Sequence, residues 1–344
     1  MGKVQLSNPF VPLNSLILVT GANGLIASHI ADQLLEAGYR VRGTVRSKSR
    51  NDWVEPLFDS RHGPGRFELV EVADLATPGI WDDKLDGVAG VISVAGSANI
   101  MVTDVDAAVE EDKVAYFNLM AAAKKQSSVQ AFILTSSAWA VWSPRAGVAK
   151  TVTEETWNEE AIAIAADPKL TPEERGIAPF QAVKAKAEQA CWEWIEKEKP
   201  SYTFNTMLLD TVLGPILNAK NQSASTAGMV RWLWNSENLP ILQSIEPQWY
   251  IDARDTGRLY LAVMASGKTG QRVFGCAERF SWEKILEILK GLYPDKTDFP
   301  SLPEAGWDQT ELPMERARAY LRDIGQEAWT PLVASVQATA ESFV

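Results

Sequence analysis

The stretch Thr20-Gly21-Ala22-Asn23-Gly24-Leu25-Ile26-Ala27 decides the fold of this chain. It follows the apolar run at residues 16–19, which predicts a strand buried on both faces. It also opens a segment with helical periodicity that continues to Gly38, a residue typical of a helix C-terminus. Strand, glycine turn and helix in this order predict the first unit of a parallel sheet that binds a ligand at the turn.

The residues of the turn suit the phosphates of a dinucleotide. Gly21 permits the tight turn, Gly24 lets the backbone approach a pyrophosphate, and Ala27 lets the helix pack near the strand. The phosphates then meet free N–H groups at a helix N-terminus. A glycine turn without a ligand is the alternative, but the flanking strand and helix favour a site. The predicted contacts are Gly21, Ala22, Asn23, Gly24, Leu25, Ile26 and Ala27.

The end of the second predicted strand, residues 40–45, indicates which dinucleotide binds. Arg46, Lys48 and Arg50 follow it and no carboxylate does, whereas NAD binding favours an acidic residue there. Three cations suit the 2′-phosphate of NADP(H), although a solvated basic loop is the alternative. Asp74 and Leu75 follow the third strand, where an acidic side chain can meet the adenine.

The rest of the chain continues the alternation of strands and helices. Strands are predicted at 67–72, 88–95, 131–135 and 203–209, with a loop of about 40 residues before a helix at 179–199. This predicts an α/β fold with a Rossmann-type doubly wound parallel sheet. Beyond residue 215 the order changes, so we expect a Rossmann domain at 1–215 and a smaller C-terminal substrate lobe at 216–344. The two are predicted to interleave through sheet strands near 248–275.

Composition excludes several classes of function. Apolar residues make up 46% of the 344 residues, and the net charge of −11 opposes binding to nucleic acid or an anionic membrane surface. No apolar run approaches the ~18 residues that span a bilayer, and no signal pattern opens the chain. With only two histidines, a metal site is not expected. Cys191 and Cys276 are expected to be buried free thiols in a reducing compartment, so we predict a cytoplasmic protein.

Several further motifs join the glycine turn in a family resemblance. They are Val-Thr-Gly-Ala-Asn-Gly at 19–24, Val-Arg-Gly-Thr-Val-Arg at 41–46, Leu-Thr-Ser-Ser at 134–137, Ala-Glu-Gln-Ala at 187–190, Val-Leu-Gly-Pro at 212–215 and Ala-Arg-Asp-Thr-Gly at 253–257. Together they resemble the extended short-chain dehydrogenase/reductases. The branch that looks most similar holds yeast aldehyde (carbonyl) reductase and plant dihydroflavonol reductase.

The resemblance implies NADPH-dependent carbonyl reduction. In this family a tyrosine gives a proton to the carbonyl oxygen, a lysine four residues later holds the ribose, and a serine polarises the carbonyl. The serine corresponds to Ser137, beside Ser136, and the lysine to Lys184. The tyrosine position holds Phe180, which has no proton to give. The cofactor contacts implied beyond the turn are Val94, Ala95, Thr135, Lys184, Leu209 and Val212.

The residues predicted to contact the substrate match the family pattern less closely than the cofactor residues do. Asn118 matches a family asparagine that shapes the site, and Ser97 is a further predicted substrate contact. Trp139 and Trp249 either line an apolar or aromatic pocket or serve as packing. The expected substrate is therefore a small apolar or aromatic molecule, and the protein is expected to be a monomer or a homodimer.

Other departures accompany Phe180. Val183 replaces a common family serine, Leu209 a proline, and Ser93 a frequent histidine, so natural divergence is favoured over a single engineered change. Asp210 follows Leu209 and is either an acid, base or substrate anchor with a raised pKa, or a surface or backbone-capping carboxylate at a strand end.

Three functions therefore stay open at the level of the sequence. The first is an NADP(H)-dependent carbonyl reductase with an altered proton donor. The second is a non-redox isomerase, cyclase or lyase that keeps NADP as a scaffold. The third is a binding protein that senses NADP(H), because Lys184 can bind ribose without any chemistry.

Overall fold

The computed structural model describes residues 4–96 and 99–344, which contain ten strands and twelve α-helices. The strands are β1 (Leu16–Val19), β2 (Arg40–Val45), β3 (Phe67–Glu71), β4 (Val88–Ser93), β5 (Ala131–Ser137), β6 (Thr203–Leu209), β7 (Thr211–Leu213), β8 (Gln248–Asp252), β9 (Gln271–Gly275) and β10 (Glu278–Phe280). The helices are α1 (Leu25–Ala37), α2 (Val54–His62), α3 (Val105–Lys125), α4 (Glu159–Ala166), α5 (Pro172–Arg175), α6 (Ala178–Glu198), α7 (Ser225–Asn235), α8 (Leu239–Ser244), α9 (Ala253–Ser266), α10 (Trp282–Leu292), α11 (Glu315–Asp323) and α12 (Leu332–Ala340).

Seven parallel strands form the central sheet in the order β3-β2-β1-β4-β5-β6-β9. The strand order reverses between β1 and β4, so a crevice opens there at the carboxyl ends of the strands, where open α/β sheets bind ligands. The predicted Rossmann-type doubly wound sheet is thus confirmed.

Helices cover both faces of this sheet. On one face α1 packs against α9, and a Cβ on Gly257 of α9 would lie only 2.5 Å from the carbonyl oxygen of His29 on α1. Only glycine allows that approach, so Gly257 sets the distance between the two helices. On the other face α3 and α6 pack together over β4, β5 and β6.

A second sheet, β10-β8-β7, belongs to the C-terminal part of the chain. β8 pairs with β7 in parallel and with β10 in antiparallel fashion, and α7, α10 and α12 cover it with an apolar core of their own. Further elements beyond residue 215, α9 and β9, lie on the central sheet instead. The interleaving expected near 248–275 and the division at residue 215 both stay predictions.

The prediction of a 40-residue loop before α6 was wrong in part. That segment contains a 3₁₀ turn at Ala138–Ala140 and the helices α4 and α5. α4 forms because Asn158 caps it, accepting the backbone N–H of Ala161 at 3.1 Å, ahead of an alanine-rich stretch with high helix propensity. Cys191 and Cys276 are buried free thiols, as predicted.

Candidate active site

The glycine turn adopts the geometry that a pyrophosphate needs. Gly21 has a φ of +72°, which residues with side chains rarely adopt. Its N–H donates to Thr44 Oγ1 at 3.3 Å, and the N–H of Gly24 donates to the Gly21 carbonyl at 2.8 Å. α1 starts directly after Gly24, and no described side chain caps its N-terminus. The N–H groups of its first turn can therefore meet an anion.

Thr20 joins this turn to the end of the neighbouring strand β4. Its hydroxyl oxygen accepts the N–H groups of Val94 and Ala95 at 2.8 and 2.9 Å. A Cβ on Gly21 would lie 3.3 Å from the Ala95 Cβ, so the two segments are in close contact. The predicted cofactor residues that follow β4 thus lie beside those of the turn, at the crevice.

The cations after β2 differ in their surroundings. Arg46 and Lys48 are both exposed, but Lys48 Nζ lies 3.6 Å from the Glu55 carboxylate on α2. Among the residues that the structure describes, Arg46 makes no ion pair. Arg46 is therefore the better placed of the two for a 2′-phosphate.

The loop after β3 is held by a contact that the sequence did not indicate. Asn118 on α3 donates both hydrogens of its side-chain amide, to the carbonyls of Leu75 and Thr77, each at 2.8 Å. Asp74 in the same loop accepts the N–H of Ala76 at 2.9 Å. Asn118 thus holds the loop that carries Asp74 and Leu75, and its predicted contact with substrate stays a prediction.

Ser137 is the last residue of β5 and lies at the carboxyl edge of the sheet. Its Oγ accepts the N–H of Trp139 at 3.1 Å, which starts the 3₁₀ turn at Ala138–Ala140. This contact uses a lone pair, so the hydroxyl hydrogen can donate to a carbonyl oxygen. Thr135, two residues earlier, shares a 2.8 Å hydrogen bond with Tyr260 of α9.

A buried network fixes α6 against β5. Glu188, one turn after Lys184, accepts hydrogen bonds from Ser136 at 2.6 Å and Thr206 at 2.7 Å. Arg272 of β9 donates to both oxygens of Glu188, at 2.8 and 3.1 Å. Ser136 therefore has a structural role, and the network explains why a glutamate lies in the Ala-Glu-Gln-Ala motif.

Phe180 and Lys184 lie one turn apart on α6. The Phe180 ring meets Trp139 edge-on, with ring centroids 6.1 Å apart, and the Lys184 ammonium lies 5.3 Å from the Phe180 centroid. Lys184 Nζ is 3.5 Å from a carboxylate oxygen of Asp112, a buried residue of α3. Asp112 was not predicted from the sequence. Its spacing from Tyr116 and Leu119 places it on the buried face of α3, and this periodicity could have indicated it.

Asp210 lies between β6 and β7, beside Ser137. Its neighbour Leu209 pairs with Ser137 across the strands, and Asp210 Oδ2 accepts the N–H of Trp249 at 3.1 Å. Burial, with a smaller contribution from the negative charge of Asp308, raises the pKa of Asp210 to about 8. The carboxyl therefore caps backbone and also has a raised pKa, while its role as acid, base or substrate anchor stays a prediction.

Trp139 and Trp249 differ in their exposure and in their contacts. Trp139 is partly exposed, and its indole N–H donates to Gln248 Oε1 at 3.1 Å, a partner that the sequence did not reveal. Trp249 is buried in an apolar cluster under the guanidinium of Arg279 at 4.5 Å, so packing is its main role here.

Leu209 and Val212 are buried as well. The predicted contact Ser97 lies outside the described residues.

The described residues offer neither a metal cluster nor a membrane-spanning helix. No group of three or more histidine, cysteine, aspartate or glutamate side chains is arranged to hold a metal ion in residues 4–96 and 99–344. No helix in the same ranges has the length and apolarity needed to cross a bilayer.

The turn, the uncapped helix and the sheet edge can be compared with known families. The profile of the NAD dependent epimerase/dehydratase family matches residues 17–276. The chain belongs to this family. The membership confirms the resemblance to extended short-chain dehydrogenase/reductases that the sequence motifs indicated.

Relatives in the epimerase/dehydratase family match nearly the whole chain. Aldehyde reductase 2 of Sporidiobolus salmonicolor is 33% identical over 97% of this chain and 97% of its own length. Ketoreductase adrE of Penicillium rubens is 34% identical over 97% of this chain and 98% of its own. A crystal structure of Gre2 from Candida albicans, in complex with NADPH, matches with a TM-score of 0.80 and 22% identity. That match covers 96% of this chain and 98% of Gre2, and it shows the shared fold.

Proposed function

We propose that this protein is an NADP(H)-dependent carbonyl reductase for small apolar or aromatic aldehydes and ketones, with a proton donor other than tyrosine. One observation carries the proposal: Ser137 and the Gly21 turn lie at the carboxyl edge of the same sheet, and Ser137 is linked through Trp139 and Phe180 to Lys184 of α6. The full-length relatives named as an aldehyde reductase and a ketoreductase support the same chemistry.

The residues of the crevice fit NADP(H). The first turn of α1 would hold the pyrophosphate, Arg46 and Lys48 the 2′-phosphate, and Asp74 with Leu75 the adenine. The residues proposed for the nicotinamide half are Val94, Ala95, Thr135, Lys184, Leu209 and Val212. When bound, the reduced nicotinamide supplies a hydride.

Ser137 would polarise the substrate carbonyl. Its hydroxyl hydrogen is not used by the contact with Trp139, so it can donate to the oxygen on which negative charge develops. Trp139 and Phe180 meet edge to face next to it and form an apolar wall that excludes water. An apolar wall with one hydroxyl donor favours an aromatic or aliphatic carbonyl substrate over a charged one.

Lys184 would hold the ribose and supply positive charge. Its ammonium lies 3.5 Å from the Asp112 carboxylate and faces the Phe180 ring, so its position is fixed from two sides. Asp112 is thus a positioning residue for Lys184. A neutral phenol is absent from this pair, which sets the site apart from the tyrosine–lysine pair of the family.

Cofactor binding and carbonyl reduction test the proposal separately. We expect NADPH to quench the tryptophan fluorescence more strongly than NADH at equal concentration, because only NADPH carries the 2′-phosphate. We also expect aromatic aldehydes or ketones to oxidise NADPH, followed at the nicotinamide absorbance. Absence of NADPH binding would overturn the whole proposal. Binding without turnover of any carbonyl would exclude the reductase and leave the non-redox enzyme and the NADP(H)-sensing protein.

Phe180 favours one second candidate, a non-redox isomerase, cyclase or lyase that keeps NADP as a scaffold. Without the phenol, hydride transfer loses its usual proton partner, while the apolar wall at Trp139 can still orient a reactive substrate. The two functions differ in stoichiometry. A substrate that is converted without oxidation or reduction of the cofactor identifies the second function, and consumption of one NADPH per product identifies the reductase.

A further inference from the structure

The proposed reductase needs a proton donor, and the inference that follows rests on that proposed function. Phe180 has no exchangeable proton, and Ser137 would donate a hydrogen bond rather than a proton. The Lys184 ammonium is engaged with the Asp112 carboxylate at 3.5 Å. A further acid lies at this edge of the sheet, the carboxyl of Asp210.

Sheet geometry places Asp210 close to Ser137. Leu209 and Ser137 are directly opposite each other on the parallel strands β6 and β5, and Asp210 is the next residue. Parallel strands lie about 4.8 Å apart and rise about 3.3 Å per residue, so the two Cα atoms are roughly 6 Å apart. Because successive residues of a strand point to opposite faces, the Ser137 and Asp210 side chains can meet only over the carboxyl ends of β5 and β6, where a substrate oxygen bound by the Ser137 hydroxyl would lie between them.

Hydrogen bonds orient the carboxyl and indicate where its proton sits. Oδ2 accepts the backbone N–H of Trp249 at 3.1 Å, so in the neutral acid the proton belongs on Oδ1. The adjacent residue Gln248 accepts the indole N–H of Trp139 at 3.1 Å. The start of β8 thus holds both Asp210 and Trp139 against the same edge, on either side of Ser137.

The charged groups around Asp210 favour the neutral acid. Asp308, from the segment before α11, is buried and accepts the indole N–H of Trp142 at 3.3 Å and the Thr310 hydroxyl at 2.7 Å. Cys276, after β9, faces Asp210 as a buried thiol. Arg279 of β10 lies over the Trp249 ring and pairs with Glu311. Within the described residues no cation forms an ion pair with Asp210, so burial and Asp308 raise its pKa to about 8.

We propose that Asp210 is the catalytic acid that replaces the missing phenol and protonates the substrate oxygen. As hydride reaches the carbonyl carbon, the π electron pair of the C=O bond moves onto oxygen. The Oδ1–H bond of Asp210 breaks, its electrons stay on the carboxylate, and the proton forms the O–H bond of the alcohol. When the alcohol leaves, water that enters the vacated site returns a proton to the Asp210 carboxylate.

The decisive experiment combines Asp210→Asn with Phe180→Tyr. The amide of the Asp210→Asn variant keeps the acceptor for the Trp249 N–H but cannot give a proton. We therefore expect kcat to fall ~10²–10⁴-fold with NADPH affinity unchanged. Adding Phe180→Tyr to this variant restores a phenol next to Lys184 and should recover most of the loss. If Asp210 is the acid, Phe180→Tyr should raise kcat far more in Asp210→Asn than in the wild type, so an equal gain in both backgrounds, or failure of the rescue, would overturn the proposal. Wild-type kcat in the Asp210→Asn variant would overturn it as well.

A second readout needs no cofactor or turnover. The infrared band of a protonated carboxyl, present in the wild type and absent from Asp210→Asn, should titrate with a midpoint near pH 8. Asp308→Asn removes the facing negative charge and should move this midpoint, and the alkaline limb of kcat/KM, to lower pH. A midpoint near the ordinary aspartate value would overturn the role of Asp210.

The outcomes also separate this inference from the proposed function. If neither the wild type nor Phe180→Tyr reduces a carbonyl, the reductase itself is wrong. If Phe180→Tyr reduces carbonyls while the wild type does not, the fold retains the reductase site but Asp210 is not its acid. If the wild type is active and Asp210→Asn is equally active, only the role of Asp210 fails.

Discussion

The two ends of the crevice differ in how closely their residues match the expected family pattern. At the β1 end, the residues of the turn, of β2 and of β4 all match the needs of a bound dinucleotide. At the β5–β6 end, Ser137 and Lys184 remain, while Phe180, Val183, Leu209 and Asp210 depart from the family pattern. The difference teaches that holding the cofactor and delivering the proton are separable. The first end has the backbone geometry that suits a dinucleotide, whereas side chains at the second end differ from the pattern that the family resemblance implies.

Replacing the hydroxyl at the chemical end should have the largest effect. We expect Ser137→Ala to lower kcat about 10²–10³-fold, the usual cost of one donor to a developing oxyanion. NADPH affinity, measured by tryptophan fluorescence, should not change. A parallel loss of NADPH affinity would show that the two ends are coupled and would break the comparison.

The cofactor end should respond in the opposite sense. Arg46→Ala is expected to weaken NADPH binding about 10- to 100-fold, as for the loss of one hydrogen bond to a charged group, with kcat at saturating NADPH retained. Lys48→Ala is the matched control and should cost less, because Lys48 is already paired with Glu55. Equal weakening of NADH binding in Arg46→Ala would contradict an assignment of Arg46 to the 2′-phosphate.

A stability measurement tests the support beneath the cofactor turn. Gly257→Ala adds a Cβ that would lie 2.5 Å from the His29 carbonyl oxygen, so α9 must move away from α1. We expect the free energy of unfolding to fall by about 1–3 kcal/mol in a denaturant titration. Gly291→Ala, on the exposed side of α10 with open space around the glycine, is the control and should not destabilise the protein. No loss in Gly257→Ala would mean that the helices are less tightly packed than this contact indicates.

A further expected effect is a pH dependence of stability at the chemical end. Asp210 binds its proton more tightly in the folded chain, with a pKa near 8, than in the unfolded chain, where the pKa is near 3.8. Its contribution to stability is therefore fully present below about pH 4 and is lost as the pH rises toward 8. Compared with Asp210→Asn, the wild type should lose stability over this range in denaturation curves measured side by side. An unchanging difference between the two proteins would show that Asp210 titrates normally.

The sequence by itself determined the parallel sheet and the dinucleotide turn. The strand at 16–19, Gly21, Gly24 and the helix after them are contiguous, and their geometry follows from local rules of backbone conformation and helix ends. The absence of a phenol at position 180 could also be deduced from the sequence, because residues four apart, such as Phe180 and Lys184, share a helix face.

Only the tertiary structure decided the surroundings of the reacting groups. It brought Asp112 to Lys184, Trp249 and Asp308 to Asp210, and Asn118 to the loop after β3. These partners lie tens of residues or more apart along the chain, on helices and strands that meet only when the sheet is assembled. Burial and facing charge set the protonation of Asp210, and neither can be obtained from the spacing of residues in a sequence.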